Sequence, residues 1–178
     1  MTRMKAFCVL CFFVWLGLSS SGCGAEPEAG PLGETQPPVR AQFRAVAEAM
    51  QHRCGTLDCH GQVGRNLRLH GLGGLRLSTP EHPIDDPNVD ATTASELDAS
   101  YESTIGLEPE NLWRVLAQGA DPNQLSIVRK TRGIEKHKGG QLARTGDPLD
   151  RCLVLWLTGK ADPIPCKQVN DARPPDPN

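Results

Sequence analysis

Apolar residues recur at three- and four-residue spacing in three separate stretches of the chain. Val39, Phe43, Val46, Ala47 and Met50 predict an amphipathic helix over 39–53. Leu112, Val115 and Leu116, with Trp113, mark a second over 108–118, opened by Pro109 and closed by Gly119. Leu149, Cys152, Leu153, Trp156 and Leu157 form the buried stripe of a third over 148–159, with Asp147 as cap, Pro148 at its first position and Gly159 as its stop. Elsewhere the periodicity is weaker. Thr92 or Thr93 with Glu96 reads as a capping box for a helix to about Ser103, although only Ala94, Leu97, Tyr101 and Ile105 offer it an apolar side. Asp121-Pro122-Asn123-Gln124 starts a short helical turn from Leu125 to about Arg129.

Glycine and proline separate these elements. Gly61, Gly64, Gly71, Gly73 and Gly74 make 61–90 irregular. The short alternations at 66–70 and 75–77 allow a small hairpin or two extended segments there. A second irregular loop covers 131–145. The expected fold class is therefore mostly α, a small helical domain with long irregular loops. The tail from Lys167 onward is polar and proline-rich, which predicts disorder. No period of repeat length is visible.

The N-terminus reads as an export signal. Arg3 and Lys5 precede an uncharged apolar run, Ala6 to Leu18, which is short of the roughly 20 residues needed to span a bilayer. Ser19, Ser20, Ser21 and Gly22 lead into Cys23. Ser-Gly-Cys after such a run resembles the bacterial lipoprotein cleavage box. That resemblance implies a signal peptide over 1–22, a lipid-bearing Cys23 and anchoring to a membrane without a spanning helix. Ordinary signal-peptidase cleavage nearby, with Cys23 a plain thiol, is the alternative. Gly24 in place of Asp resembles lipoproteins of the outer membrane. Residues 23–38, rich in Pro, Gly and Glu, read as a flexible tether. Removing Arg3 and Lys5 takes the formal charge from −2 to −4, and no basic run points to nucleic acid. Aromatics make up only 4% of the chain, so the core is thin and a large apolar cofactor would add to it.

Four cysteines remain beyond Cys23: Cys54, Cys59, Cys152 and Cys166. The first two lie in Arg53-Cys54-Gly55-Thr56-Leu57-Asp58-Cys59-His60-Gly61, immediately after the first predicted helix. Two thiols followed at once by an imidazole resemble a c-type haem attachment site, here with four residues between the cysteines in place of two. A small Cys54–Cys59 disulfide, or a zinc site from Cys54, Cys59, His60 and a fourth ligand, would use the same residues. If Cys54 and Cys59 hold haem, Cys152 and Cys166 are left as a disulfide closing about 15 residues.

Further stretches carry a related likeness. The turn at Asp121-Pro122…Leu125-Ser126, the loop His137-Lys138-Gly139-Gly140 and the Leu153…Trp156-Leu157 helix follow one another as in a group of cytochrome-c-like bacterial domains. The resemblance spans roughly 40–160 and implies a cytochrome-c-like domain over 39–166, binding one covalent haem c. Cys54 and Cys59 would be the attachment thiols and His60 the proximal ligand. The only methionines are Met1, Met4 and Met50, and Met50 reads as core, so His137 is the expected distal ligand, with His70 as runner-up. His52 and His82 read as surface residues. Arg65, and less directly Arg68 and Arg76, suit the haem propionates. Electron transfer with an unidentified redox protein, by a monomer and not by an enzyme, is the implied activity. A haem-free, disulfide-stabilised structural or binding lipoprotein is the rival. No nucleophile elbow, phosphate loop or His-Glu-x-x-His is present.

Overall fold

The computed structural model describes residues 36–81, 83, 91–160 and 162–172. The signal segment, Cys23, most of the tether, His82 and residues 173–178 lie outside them. Six α-helices are present among the described residues: α1 (Phe43–Cys54), α2 (Ala94–Ile105), α3 (Pro109–Gln118), α4 (Ser126–Thr131), α5 (Pro148–Leu157) and α6 (Pro163–Asp171). Single 3₁₀ turns, Arg40–Gln42 and Pro122–Gln124, lead into α1 and α4. No described helix is long and apolar enough to cross a membrane. The fold is mostly α, as the periodicity predicts.

The core forms where α1 packs against α2, α5 and α6, with α5 also lying along α6. Phe43, Tyr101 and Trp156 meet at its centre, with ring centroids 4.9 to 6.0 Å apart. Their polar atoms are not wasted. The Tyr101 hydroxyl donates to the Pro38 carbonyl at 2.9 Å, and Trp156 Nε1 donates to the Val39 carbonyl at 3.1 Å. Two buried aromatics thereby fix the chain as it enters α1. Trp156 thus serves the core. A disulfide joins Cys152 of α5 to Cys166 of α6.

Local signals explain most helix ends. Thr93 and Glu96 make a full capping box on α2, Pro109 and Pro148 occupy first turns, and Gly119 ends α3 in the left-handed region (φ 66°). Two expectations are corrected. Asp147 stands at the N-cap of α5, but its carboxylate accepts from the Arg144 amide and caps no helical N–H. The chain beyond Lys167 is helical as far as Asp171, because Pro165, Cys166 and Val169 are buried, and Asn170 donates to the Ala45 carbonyl of α1. Composition made this segment look disordered; its order comes from tertiary contact and the disulfide.

The buried face of α2 is polar. Glu96, Ser100 and Thr104 lie on it with Tyr101. Ser100 Oγ accepts from the His70 amide and donates to the His70 carbonyl, while Ser103 Oγ accepts from the Arg68 amide. Glu96, with no exposed surface, accepts from Arg76 Nε at 2.7 Å and from the Leu77 amide at 3.1 Å. Thus α2 satisfies the backbone of the irregular 66–77 segment. No hairpin forms there; only isolated bridges, Thr56 to Gly74 and His70 to Leu75, occur.

Candidate functional site

Helix α1 delivers Cys54 at its last position, and the chain then folds back on itself. The amides of Cys59 and Gly61 both donate to the Thr56 carbonyl at 2.9 Å, and the His60 amide donates to the Cys54 carbonyl, also at 2.9 Å. The four intervening residues become an outward turn with Leu57 exposed at its tip. The extra length is absorbed there, and His60 returns to the end of α1. Two glycines make this possible. A Cβ on Gly61 would stand 2.1 Å from the Gly55 carbonyl oxygen, and one on Gly74 would stand 2.0 Å from the same atom. Only bare backbone fits at either position.

The half-buried His60 ring is oriented by its own loop. Its Nδ1 lies 3.0 Å from the Leu67 carbonyl, and the Leu69 amide returns to the His60 carbonyl at 2.9 Å. With Nδ1–H donating to that carbonyl, Nε2 carries the lone pair, as a metal-binding imidazole requires. Burial lowers the His60 pKa, and the nearby His137, Arg65 and Lys130 lower it further against the opposing pull of the Leu67 carbonyl. The imidazole is therefore neutral at pH 7.

His137 reaches the same place from the opposite wall. Its loop leaves α4, whose Thr131 carbonyl accepts from both Leu142 and Ala143 amides at 3.0 Å, closing the neck. Arg129 and Lys130 pair with Glu135 on one side of the neck, and Arg132 pairs with Asp150 of α5 on the other. The His137 ring faces His60 with centroids 6.0 Å apart and planes within 19°. Its Nδ1 lies 3.4 Å from the Gly140 carbonyl, so here too Nε2 is the ring nitrogen left for a ligand.

Between them lies a cavity of about 570 Å³. Met50, Leu67, Leu107, Ile127, Leu142, Leu149 and Leu153 supply its apolar wall. Cys54 and Cys59 border it as free thiols, both half-buried. Burial pushes the Cys54 thiol up to about 12, with Cys59 adding to the rise and Arg53 opposing it, so it is fully protonated at neutral pH. Arg65, Lys130, Lys136 and Lys138 outnumber Asp58 and Glu108 along the lining. A cavity of this size, with one apolar wall and several cationic side chains along its lining, has room for a small ligand or cofactor bearing acidic groups.

The structure brings together Cys54, Cys59, His60, Arg65 and His137 around one cavity. Arg65 lines it, yet its guanidinium is spent on the loop, donating to the Cys59 carbonyl at 3.0 Å and the Asp58 carbonyl at 3.5 Å. Arg76 is committed to Glu96, and neither it nor Arg68 borders the cavity. His70 also stands away from it, with Nδ1 buried and lacking a hydrogen-bond partner. Among the described residues, no three His, Cys, Asp or Glu side chains converge to hold an ion, so the Cys54–Cys59–His60 zinc arrangement is not assembled. Sequence reasoning missed Glu108, whose carboxylate lines the cavity and accepts from the Ser126 amide, and the Arg132–Asp150 pair. A glutamate just before Pro109 was the only available hint of the first. No family model, no curated protein and no solved structure matches this chain.

Proposed function

We propose that the chain is a haem c-binding electron-transfer protein of the bacterial cell envelope, held to a membrane, the outer one on the strength of Gly24, by lipid on Cys23. The observation that carries the reading is the facing pair His60 and His137, 6.0 Å apart across an apolar cavity that Cys54 and Cys59 border. The likeness of the Cys54–His60 stretch to a c-type attachment site supports it independently. In this reading Cys54 and Cys59 would hold the haem, His60 and His137 would supply nitrogen ligands to its iron, and the leucines around them would exclude water. Lys136 and Lys138, with Arg65 and Lys130 adding charge while bonded to the loop carbonyls and to Glu135, make the cationic edge that would balance the propionates. Haem so bound supplies a one-electron couple, and two imidazoles set a lower potential than an imidazole with a thioether. The Leu67 and Gly140 carbonyls favour the tautomer of each ring that leaves Nε2 free to bind. The redox partner is a protein of the same compartment.

The test is expression with a cytochrome c maturation system. The protein should be red, keep its haem through acid-acetone extraction and show a low-spin spectrum. His137→Ala should turn it high-spin while leaving the haem attached. Colourless protein with Cys54 and Cys59 oxidised to each other would replace the cytochrome reading with the haem-free, disulfide-stabilised one. Cys23→Ala should release the protein from membranes, and retention would sink the anchor.

A further inference from the structure

We infer that Arg132 and Asp150 are the positioning pair for His137, setting the register of the distal loop although neither lines the cavity. Both side chains are nearly buried, at 10% and 5% exposure. Arg132 grips Asp150 with two bonds, Nε to Oδ1 at 2.7 Å and one terminal nitrogen to Oδ2 at 3.0 Å. Its other terminal nitrogen donates to Asn123 Oδ1 at 2.8 Å, before α4. Asp150 Oδ2 also accepts the Gly146 amide at 2.8 Å, and the Arg132 carbonyl accepts from Gln141 Nε2 at 3.1 Å. One ion pair therefore ties together the start of the loop, its end, helix α5 and the turn before α4.

The loop has little else to hold its tip. Among the described residues, the only backbone bond made from Lys136 to Gly140 is the Gly140 amide to the His137 carbonyl, and Gly133, Gly140 and Gly146 all have positive φ. The place of His137 is inherited from the neck. A buried ion pair is a poor source of stability, because apolar replacements of similar volume often serve as well. What apolar residues cannot supply is this forked, four-way geometry, which fixes one arrangement of the loop.

The spectroscopic part of the test rests on the haem reading; the exchange part does not. In full-length protein made without haem, Arg132→Met should speed hydrogen exchange at the Leu142 and Ala143 amides about a hundredfold while α1 amides keep their protection. In haem-loaded protein the same variant should keep its attached haem but turn high-spin, as His137→Ala does, and Arg132→Lys should restore part of the low-spin signal. Should Arg132→Met fail to fold, Asn123→Ala removes one of the Arg132 bonds, along with a 3.4 Å bond to Asp121, and should raise exchange about tenfold. A folded variant with unchanged loop exchange overturns the proposal, as does a low-spin spectrum that persists in Arg132→Met. If the wild type is colourless, the functional reading has failed and exchange alone decides this one.

Discussion

The two walls that bring His60 and His137 together do the same local job by different means. Each is irregular, each ends a ring Nδ1 on a backbone carbonyl, and each is secured to helices on either side. On the His60 wall the security is mostly backbone. The Thr56 and Cys54 carbonyls close the turn, Gly61 and Gly74 press against Gly55, and α2 hydroxyls bond the strand-like segment beyond. On the His137 wall backbone bonds close the neck as well, but side-chain charge braces it from both ends, through the Arg132–Asp150 and Arg129–Glu135–Lys130 pairs. Backbone packing has no tolerance for volume and little response to solution conditions; ion pairs are the reverse, the more so where exposed. The His60 wall should be rigid and brittle, the His137 wall adjustable.

The sharpest way to break this contrast is on the brittle side. Gly61→Ala must move the Gly55 carbonyl or unfold the turn, and should cost about 4 kcal/mol in chemical denaturation. A cost under about 1 kcal/mol would mean that the turn yields as easily as the distal loop. Next is a control belonging to neither wall. Cys152→Ser with Cys166→Ser should cost about 3 kcal/mol for a loop of this length, with exchange rates of the two walls rising together. If one wall loosened alone, its anchoring would run through α5 and α6.

Glu96 is the one strong charge effect on the His60 side. Burial pushes its carboxyl up, but the Thr93 and Leu77 amides and Arg76 outweigh this and hold it below the ordinary 4.5. A carboxyl lowered by folding stabilises the protein above its unfolded value, and that contribution is lost as pH falls through the folded one. Wild-type stability should therefore drop in acid below pH 4.5, whereas Glu96→Gln, about 2 kcal/mol weaker at pH 7, should show a flatter acid limb. An unchanged acid limb would remove Glu96 from the account. The smallest effect belongs to the half-exposed Arg129–Glu135 pair of the His137 wall. Hydrogen bonding to Arg129, with Lys130 adding to it, lowers the Glu135 pKa. Glu135→Gln, or salt at about 1 M where screening acts within about 3 Å, should speed exchange at Ile134 and Glu135 and leave the His60 wall untouched. Equal loosening of both walls would erase the distinction.

Much of the helical scaffold was written locally. Thr93 with Glu96, Pro109, Gly119 and Pro148 act within one turn of themselves, so their effect survives in any tertiary setting. The apolar stripes of α1 and α5 announced the faces that meet around Trp156. Where partners are distant the sequence was mute or misleading. Helix α2 looked weak because its buried face is a set of hydroxyls and a carboxylate, whose partners at His70, Arg76 and Leu77 are far along the chain. The second half of α6, from Lys167, looked disordered because the polar, proline-rich composition of the tail says nothing of the neighbouring disulfide or of Asn170 on α1.

The site divides in the same way. Adjacency in sequence keeps Cys54, Cys59 and His60 within seven residues of chain, and the bonds that bring His60 back to the end of α1 lie inside that stretch. The facing of His60 and His137 has no such source, since nothing local measures the distance between two loops. That distance is decided by the backbone lock of one wall and the charged neck of the other, and only the packed helices hold both at once.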